Sequence, residues 1–430
     1  MRHPSCLLRA GRDTRPIHPR RRAVRGPRRS RPTAVGGVAR DPRSGHDRGG
    51  GRVNRLQVAL RQVALLVVAL VVGGLFIVLA GYNPFAVYGE LLAGAGFNLV
   101  LAIIPGNPAG ISTNIAAGNL FATINVWGPL ILLGLSAALP FRAGLFNVGS
   151  QGQYWFGAIL GVQLGITIGS NGGLLAAFLG AIVGGAVCGA IAGALKALRG
   201  ANEVVTTIMI NWLVVYTGHF LYGYAGPFAN PVTQQPVSVP FPEGMRLPEL
   251  LKSGITLHAG ILVALVAVAV FGVLMSRTGF GFSVRTLGSN RHAAHYAGMP
   301  TKRLTVLVMG IGGAFAGLAG FVEITGTTGQ ITGSNIVGSS SFAFAGIAVA
   351  LLGRNSAVGV LLAALLFAAL QSGSRFLSGS FPPELASSLS GVLQAVIVFL
   401  IGANSLFSYL GGLNGIAARL PIRKTQGAVE

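Results

Sequence analysis

Three amides stand close together at Asn147, Gln151 and Gln153, where a turn enters an apolar run. A carboxamide both donates and accepts, so such a group can hold a hydroxyl or a base edge. It can equally satisfy backbone freed at a glycine-broken helix, or act as polar glue between helices. Asn211 and Trp212 lie inside another apolar run, where a buried amide needs a partner and a ring either stacks on a base or sugar face or simply packs. Glu203 and Glu323 are the carboxylates nearest the inner and outer ends of apolar runs, and a carboxylate in such a place is a functional candidate by default. The plainer account of Glu203 is an ion pair with Arg199 or another basic loop residue. Glu323 either faces an aqueous pathway or reaches the outer interface.

Catalytic patterns are missing from the sequence. It contains no Gly-x-x-x-x-Gly-Lys-[Ser/Thr] phosphate loop, so ATP hydrolysis by this chain is not expected. His219, His258, His292 and His295 do not form a His-x-x-x-His pair with a base between, and no metal site is expected. Cys6 and Cys188 make no disulfide framework. With no ordered nucleophile, base and oxyanion set, the chain reads as a non-enzyme.

The elements that position these groups follow from composition. Of 430 residues, 52% are hydrophobic and 10% charged, with a mean hydropathy of +0.66. Soluble domains carry about 25% charged residues, so lipid rather than water must cover this surface. The 65 glycines agree, because small residues let membrane helices approach closely. The net charge of +22 is uneven: residues 1–55 hold sixteen arginines against Asp13, Asp41 and Asp47. This head has no apolar periodicity and is expected to be disordered. A positive-inside anchor or a mis-called start upstream of Val53 accounts for it, and although basic runs can bind phosphate, no nucleic-acid partner is expected.

Ten spans are predicted, at 60–81, 119–139, 151–169, 174–195, 204–224, 258–276, 304–325, 340–353, 356–372 and 386–403, within a transmembrane region 56–412 and ahead of a cytoplasmic tail 413–430. The expected fold is all-α and polytopic. With the N-terminus in the cytoplasm, Arg142, Lys196, Arg199, the 277–303 cluster, Arg354, Arg419, Arg423 and Lys424 fall inside, and only Arg246, Lys252 and Arg375 fall outside. The positive-inside rule favours that orientation in an inner (plasma) membrane. Residues 82–118, broken by Pro84, Pro105 and Pro108, suit a re-entrant or interfacial segment. Residues 225–257, rich in proline, suit an extended outer loop with a short surface helix.

The stretch 277–303 has no acidic residue and carries Arg277, Arg285, Arg291, Lys302 and Arg303. Asn290 to Ala297 favours a short helix closed by Gly298 and stopped by Pro300. Ala293, Ala294 and Ala297 give it a small-residue face suited to docking; the other reading is a basic topology determinant against lipid headgroups. His292-Ala293-Ala294, followed by Gly298, resembles the EAA loop of ABC-importer permeases, with His292 where that family usually has Glu. Four further blocks, 141–153, 200–212, 317–323 and 346–354, resemble the permeases of simple-sugar and nucleoside (Bmp-linked) importers, within the branched-chain-amino-acid-type superfamily. The match runs from about Ala59 to Gly412, and Gly149-Ser150-Gln151-Gly152-Gln153 lacks the family's acidic member.

The resemblance implies a type II importer permease working by alternating access on nucleosides or simple sugars. It implies a second related permease, an ABC ATPase that uses ATP and Mg, and an extracytoplasmic substrate-binding lipoprotein, with no cofactor on this chain. It would assign coupling to Gly288, Asn290, Arg291, His292, Ala293, Ala294, Gly298, Met299 and Pro300. The substrate pathway would then draw on Asn147, Gln151, Gln153, Glu203, Asn211, Trp212 and Glu323. An ion-coupled transporter or channel would show ionisable groups within spans, which are nearly absent here. A non-transporting scaffold is the remaining reading.

Overall fold

The computed structural model describes residues 67–377, apart from 101–111, 170–171, 225, 234 and 339, together with 382, 388–389 and 391–399. The Arg-rich head, Val53, Cys6 and the expected tail lie outside the described residues, as do 386–387, 390 and 400–403 of the span expected at 386–403, whose residues 391–399 are helical.

Helix α1 (Val67–Leu79) bends by 117° into α2 (Pro84–Gly94). Pro84 opens α2 and Asn83 caps it, its Oδ1 accepting from Phe85 N at 3.0 Å. Helix α3 (Thr113–Arg142) is 30 residues long and runs through Pro129 and Pro140. Then come α4 (Ser150–Ile168), α5 (Gly173–Arg199) and α6 (Glu203–Leu221). Asn202 starts α6 by accepting from Val204 N and Val205 N. After the outer segment, α7 (Gly260–Arg277), α8 (Gly279–Ser289), α9 (Arg291–Tyr296) and α10 (Thr301–Glu323) follow. A π-helical turn, Ile324–Thr328, continues α10, and α11 (Gly333–Gly338), α12 (Ser340–Leu352) and α13 (Ala357–Leu377) complete the described order.

Among the described residues six helices are long and apolar enough to cross a membrane, or seven if the bent α1–α2 pair is one span. The protein is thus a multi-pass, mostly helical membrane protein. Two expected spans fall short for physical reasons. Helix α4 carries Gln151, Gln153 and Gln163, which lower its apolarity, and α12 has only 13 residues. The break at 353–355 is a tight turn in which Arg354 and Asn355 take positive φ, 50° and 54°.

The core is built by backbones meeting. A Cβ placed on Gly317 of α10 would stand 2.0 Å from Ala181 O of α5, and one on Gly313 would stand 2.1 Å from Gly185 O. Helix α4 joins the same seam, since a Cβ on Gly157 would lie 2.5 Å from Gly317 Cα. Lipid tails are as apolar as side chains, so close van der Waals packing of small residues holds such helices together.

The all-α expectation needs one correction. Strands β1 (Glu249–Ser253) and β2 (Ile255–His258) form an antiparallel hairpin in the outer segment, where a short helix was expected; a 3-10 turn, Glu243–Met245, is its only helical part among the described residues. Gly254 at φ +69° makes the tight turn. The hairpin is tied down through Asn125 of α3, whose Nδ2 donates to Thr256 O at 2.8 Å. At its foot His258 is 3% exposed. Its Nδ1 accepts from Gly260 N at 3.2 Å, so Nε2 carries the hydrogen and donates to Thr327 Oγ1 at 3.3 Å.

Burial holds the His258 imidazole neutral, its pKa lowered to about 4. The unfolded chain therefore takes up this proton first as pH falls below about 6.5. Stability from His258 is complete above that value and is lost as pH falls toward about 4. In detergent, the apparent Tm of the wild-type chain should fall across this window more steeply than that of His258→Gln. Parallel curves would refute the assignment.

Candidate functional site

The sequence amides meet in one buried knot. Asn147 and Gln153 form a reciprocal pair, Asn147 Nδ2 donating to Gln153 Oε1 at 3.0 Å and Gln153 Nε2 donating to Asn147 Oδ1 at 3.1 Å. The same Oδ1 accepts from Gly149 N at 2.9 Å. From α6, Asn211 Oδ1 accepts from Gly152 N at 2.8 Å while its Nδ2 donates to Val148 O at 2.9 Å. These bonds satisfy the peptide groups left open where the chain turns from α3 into α4. Gln151 is also buried, but its carboxamide has no partner among the described residues. It is the amide of the set whose side chain takes no part in the knot. Ser136 within α3 and Ser150 at the start of α4, which the sequence did not single out, add a hydroxyl pair at 3.3 Å.

The other pathway candidates separate from this knot. Glu203 forms a 2.7 Å ion pair with Lys196, across the α5–α6 turn, rather than with Arg199. It also sits in the first turn of α6, where a carboxylate complements the helix dipole. Trp212, adjacent to Asn211 in sequence, points outward: it is 51% exposed and stacks on Tyr216 with ring centroids 5.6 Å apart. The four-residue spacing of two aromatics was the available signal for Tyr216. Glu323 ends α10 where the π-helical turn begins, within electrostatic reach of the Arg375 guanidinium and the Tyr154 phenol.

The basic stretch 277–303 folds into two helices. The first, α8, was expected as loop; its helix signal is amphipathic, with Gly281, Val284 and Leu287 buried. Asn290 caps α9 by accepting from His292 N at 2.9 Å and Ala293 N at 3.0 Å. Gly298, at φ +77°, closes it before Pro300. One expectation is corrected here. Ala294 does not belong to an outward docking face, because it is 0% exposed and packs inward. The outward surface of α9 is made by Arg291, His292, Ala293, His295 and Tyr296, with Tyr296 88% exposed.

These helices rest directly on the turn leading to the amide knot. A Cβ on Gly288 would lie 2.1 Å from Arg142 O, so α8 touches the end of α3 backbone to backbone. A small cavity of about 200 Å³, lined by Gly144, Gly288, Asn290, Arg291 and Thr305 among others, separates α9 from that turn. Arg142 pins the corner from the other side. Its Nε donates to Asn355 O at 2.6 Å, and its guanidinium stands 5.7 Å from the Phe271 ring centroid. From α9 through Gly288 to residues 142–153 there is a continuous path of packed backbone.

The class is a multi-pass helical membrane protein with a short exposed helix seated on a glycine-broken polar turn. The chain belongs to the branched-chain amino acid transport system / permease component family, whose profile matches residues 119–401. It is 31% identical over 366 residues to the nucleoside ABC transporter permease protein NupB of Lactococcus lactis subsp. cremoris, covering 83% of this chain and 94% of that one. It is 33% identical over 363 residues to the glucose ABC transporter permease protein TsgB13 of Haloferax volcanii, covering 82% and 89%. It is 31% identical over 376 residues to the guanosine ABC transporter permease protein NupP of Bacillus subtilis, covering 84% and 97%. No solved structure matches. The chain is a non-enzymatic permease subunit of an ABC importer, and its family implies association with an ATPase and a substrate-binding protein.

Proposed function

We propose that the cargo is a nucleoside or a simple sugar, moved by alternating access through a ten-span inner-membrane body whose N-terminus faces the cytoplasm. Relatives named for nucleoside, guanosine and glucose support the cargo class. A second related permease completes the translocation unit, a lipoprotein delivers cargo from outside, and the ATPase alone uses ATP and Mg. Coupling runs through Gly288, Asn290, Arg291, His292, Ala293, Gly298, Met299 and Pro300, with Ala294 anchoring α9 from below. The pathway set is Gln151 first, on a turn held by Asn147, Gln153 and Asn211; Glu203, Trp212 and Glu323 lie apart from this knot.

The observation that carries this reading is the backbone contact between Gly288 and Arg142. Force applied to α9 by an ATPase reaches the amide-bearing turn with no flexible side chain between. Exposed aromatics carry much of the energy of such contacts. Tyr296→Ala should therefore lower uptake of labelled nucleoside or glucose at least about tenfold while membrane levels stay unchanged. Wild-type uptake by that variant would remove α9 from the coupling path.

A further inference from the structure

Beyond the amide knot, one concavity has the chemistry of a binding site. It encloses about 810 Å³ between the last turns of α4 and the loop 224–239, a volume within the range of small-molecule sites. Gln163, Asn230 and Gln235 bring amides to it, and Tyr224 and Phe228 bring rings. Among the described residues its lining contains no charged side chain. The carboxamides of Gln163 and Gln235 have no hydrogen-bond partner among the described residues, and Gln235 is exposed. Free amides facing lipid would be costly, so this surface belongs to water.

The described residues of this wall are tied down. Asn230 N donates to Val237 O at 2.7 Å and Asn230 Oδ1 accepts from Val232 N at 3.0 Å. Ser238 N donates to Ile331 O at 2.7 Å, Ile331 N donates to Ser238 Oγ at 3.0 Å, and Gly333 N donates to Pro236 O at 2.8 Å. The wall is thereby fastened to the segment that follows the π-helical end of α10. Unpartnered amides beside aromatic faces match ligands that carry hydroxyls on a ring and no charge.

We propose that this concavity is an outer binding site for a neutral, hydroxyl-rich ring compound, of the nucleoside or simple-sugar class, separate from the inner amide knot. The placement outside rests on the orientation proposed above. A site this open binds weakly, with Kd on the order of 1 mM.

The test uses the full chain in intact cells, with Val239→Cys, an exposed lining position that supplies no amide, and a membrane-impermeant maleimide; the wild-type chain is the blank. Uridine or glucose at about 10 mM should slow labelling about tenfold. Adding Gln163→Leu or Tyr224→Ala should remove that protection, whereas Gln151→Leu should leave it intact. Unchanged labelling with both compounds would overturn the site. So would protection by a purified substrate-binding protein alone, because the surface would then be a protein contact. Labelling confined to inverted vesicles would instead refute the orientation, and with it the outer placement.

Discussion

A Gly313→Val chain is expected not to accumulate in the membrane. The first added carbon would stand 2.1 Å from Gly185 O, 2.9 Å from Gly185 C and 3.2 Å from Gly189 Cα, all backbone atoms of α5. No rotamer relieves such a clash; the helices must part. Overpacking a core costs about 1–3 kcal/mol where side chains can yield, and the penalty is larger where only main chain is met. Parting α5 from α10 also strips the dispersion contacts on which association in lipid depends. Gly272 supplies the control, since a Cβ there would meet Ala357 Cβ at an ordinary 3.7 Å. Size-exclusion of fluorescent fusions should show a normal peak for Gly272→Ala and none for Gly313→Val. A normal peak for both would mean that the seam between α5 and α10 is not as described.

Asn211→Leu should lose both stability and transport. The substitution strands Gly152 N and Val148 O, both now bonded to Asn211 in a buried setting. Each stranded peptide group costs about 1–3 kcal/mol, so the pair costs roughly 2–6 kcal/mol. In a chain of this size that corresponds to a fall in apparent Tm of roughly 2–7 °C. Gln151→Leu gives the contrast: its amide holds no partner, so uptake should drop while Tm stays near wild type. Equal melting for Asn211→Leu and wild type would show that the knot is not structural.

Much of this was legible in the sequence because membrane burial leaves plain marks. Apolar length, lysine and arginine bias and the Gly298-Pro300 stop sufficed to place α3, α5, α6, α7, α9 and α10. Asn147, Gln151, Gln153 and Asn211 could be picked out as buried amides needing partners. What could not be read was which partners they take. Asn211 bonds across 59 residues to Gly152, and nothing local encodes that pairing. Trp212 looked like part of the same site only because it is next in sequence, yet adjacent helical residues point about 100° apart. The span at 151–169 was judged by length, whereas its glutamines make it a protein-facing rather than a lipid-facing helix. The outer hairpin was hidden by proline-rich surroundings, and Ala294 was misread because a six-residue helix has no period long enough to show which side is inward.

The seam of α5 and α10 bears on how such a machine can move. Where peptide meets peptide, there is no layer of pliable side chains to act as a bearing. These two helices are therefore expected to behave as a stator, turning as one body rather than sliding on each other. Cross-linking α5 to α10 should leave uptake intact; a loss of uptake would show that the two helices slide on each other during the cycle.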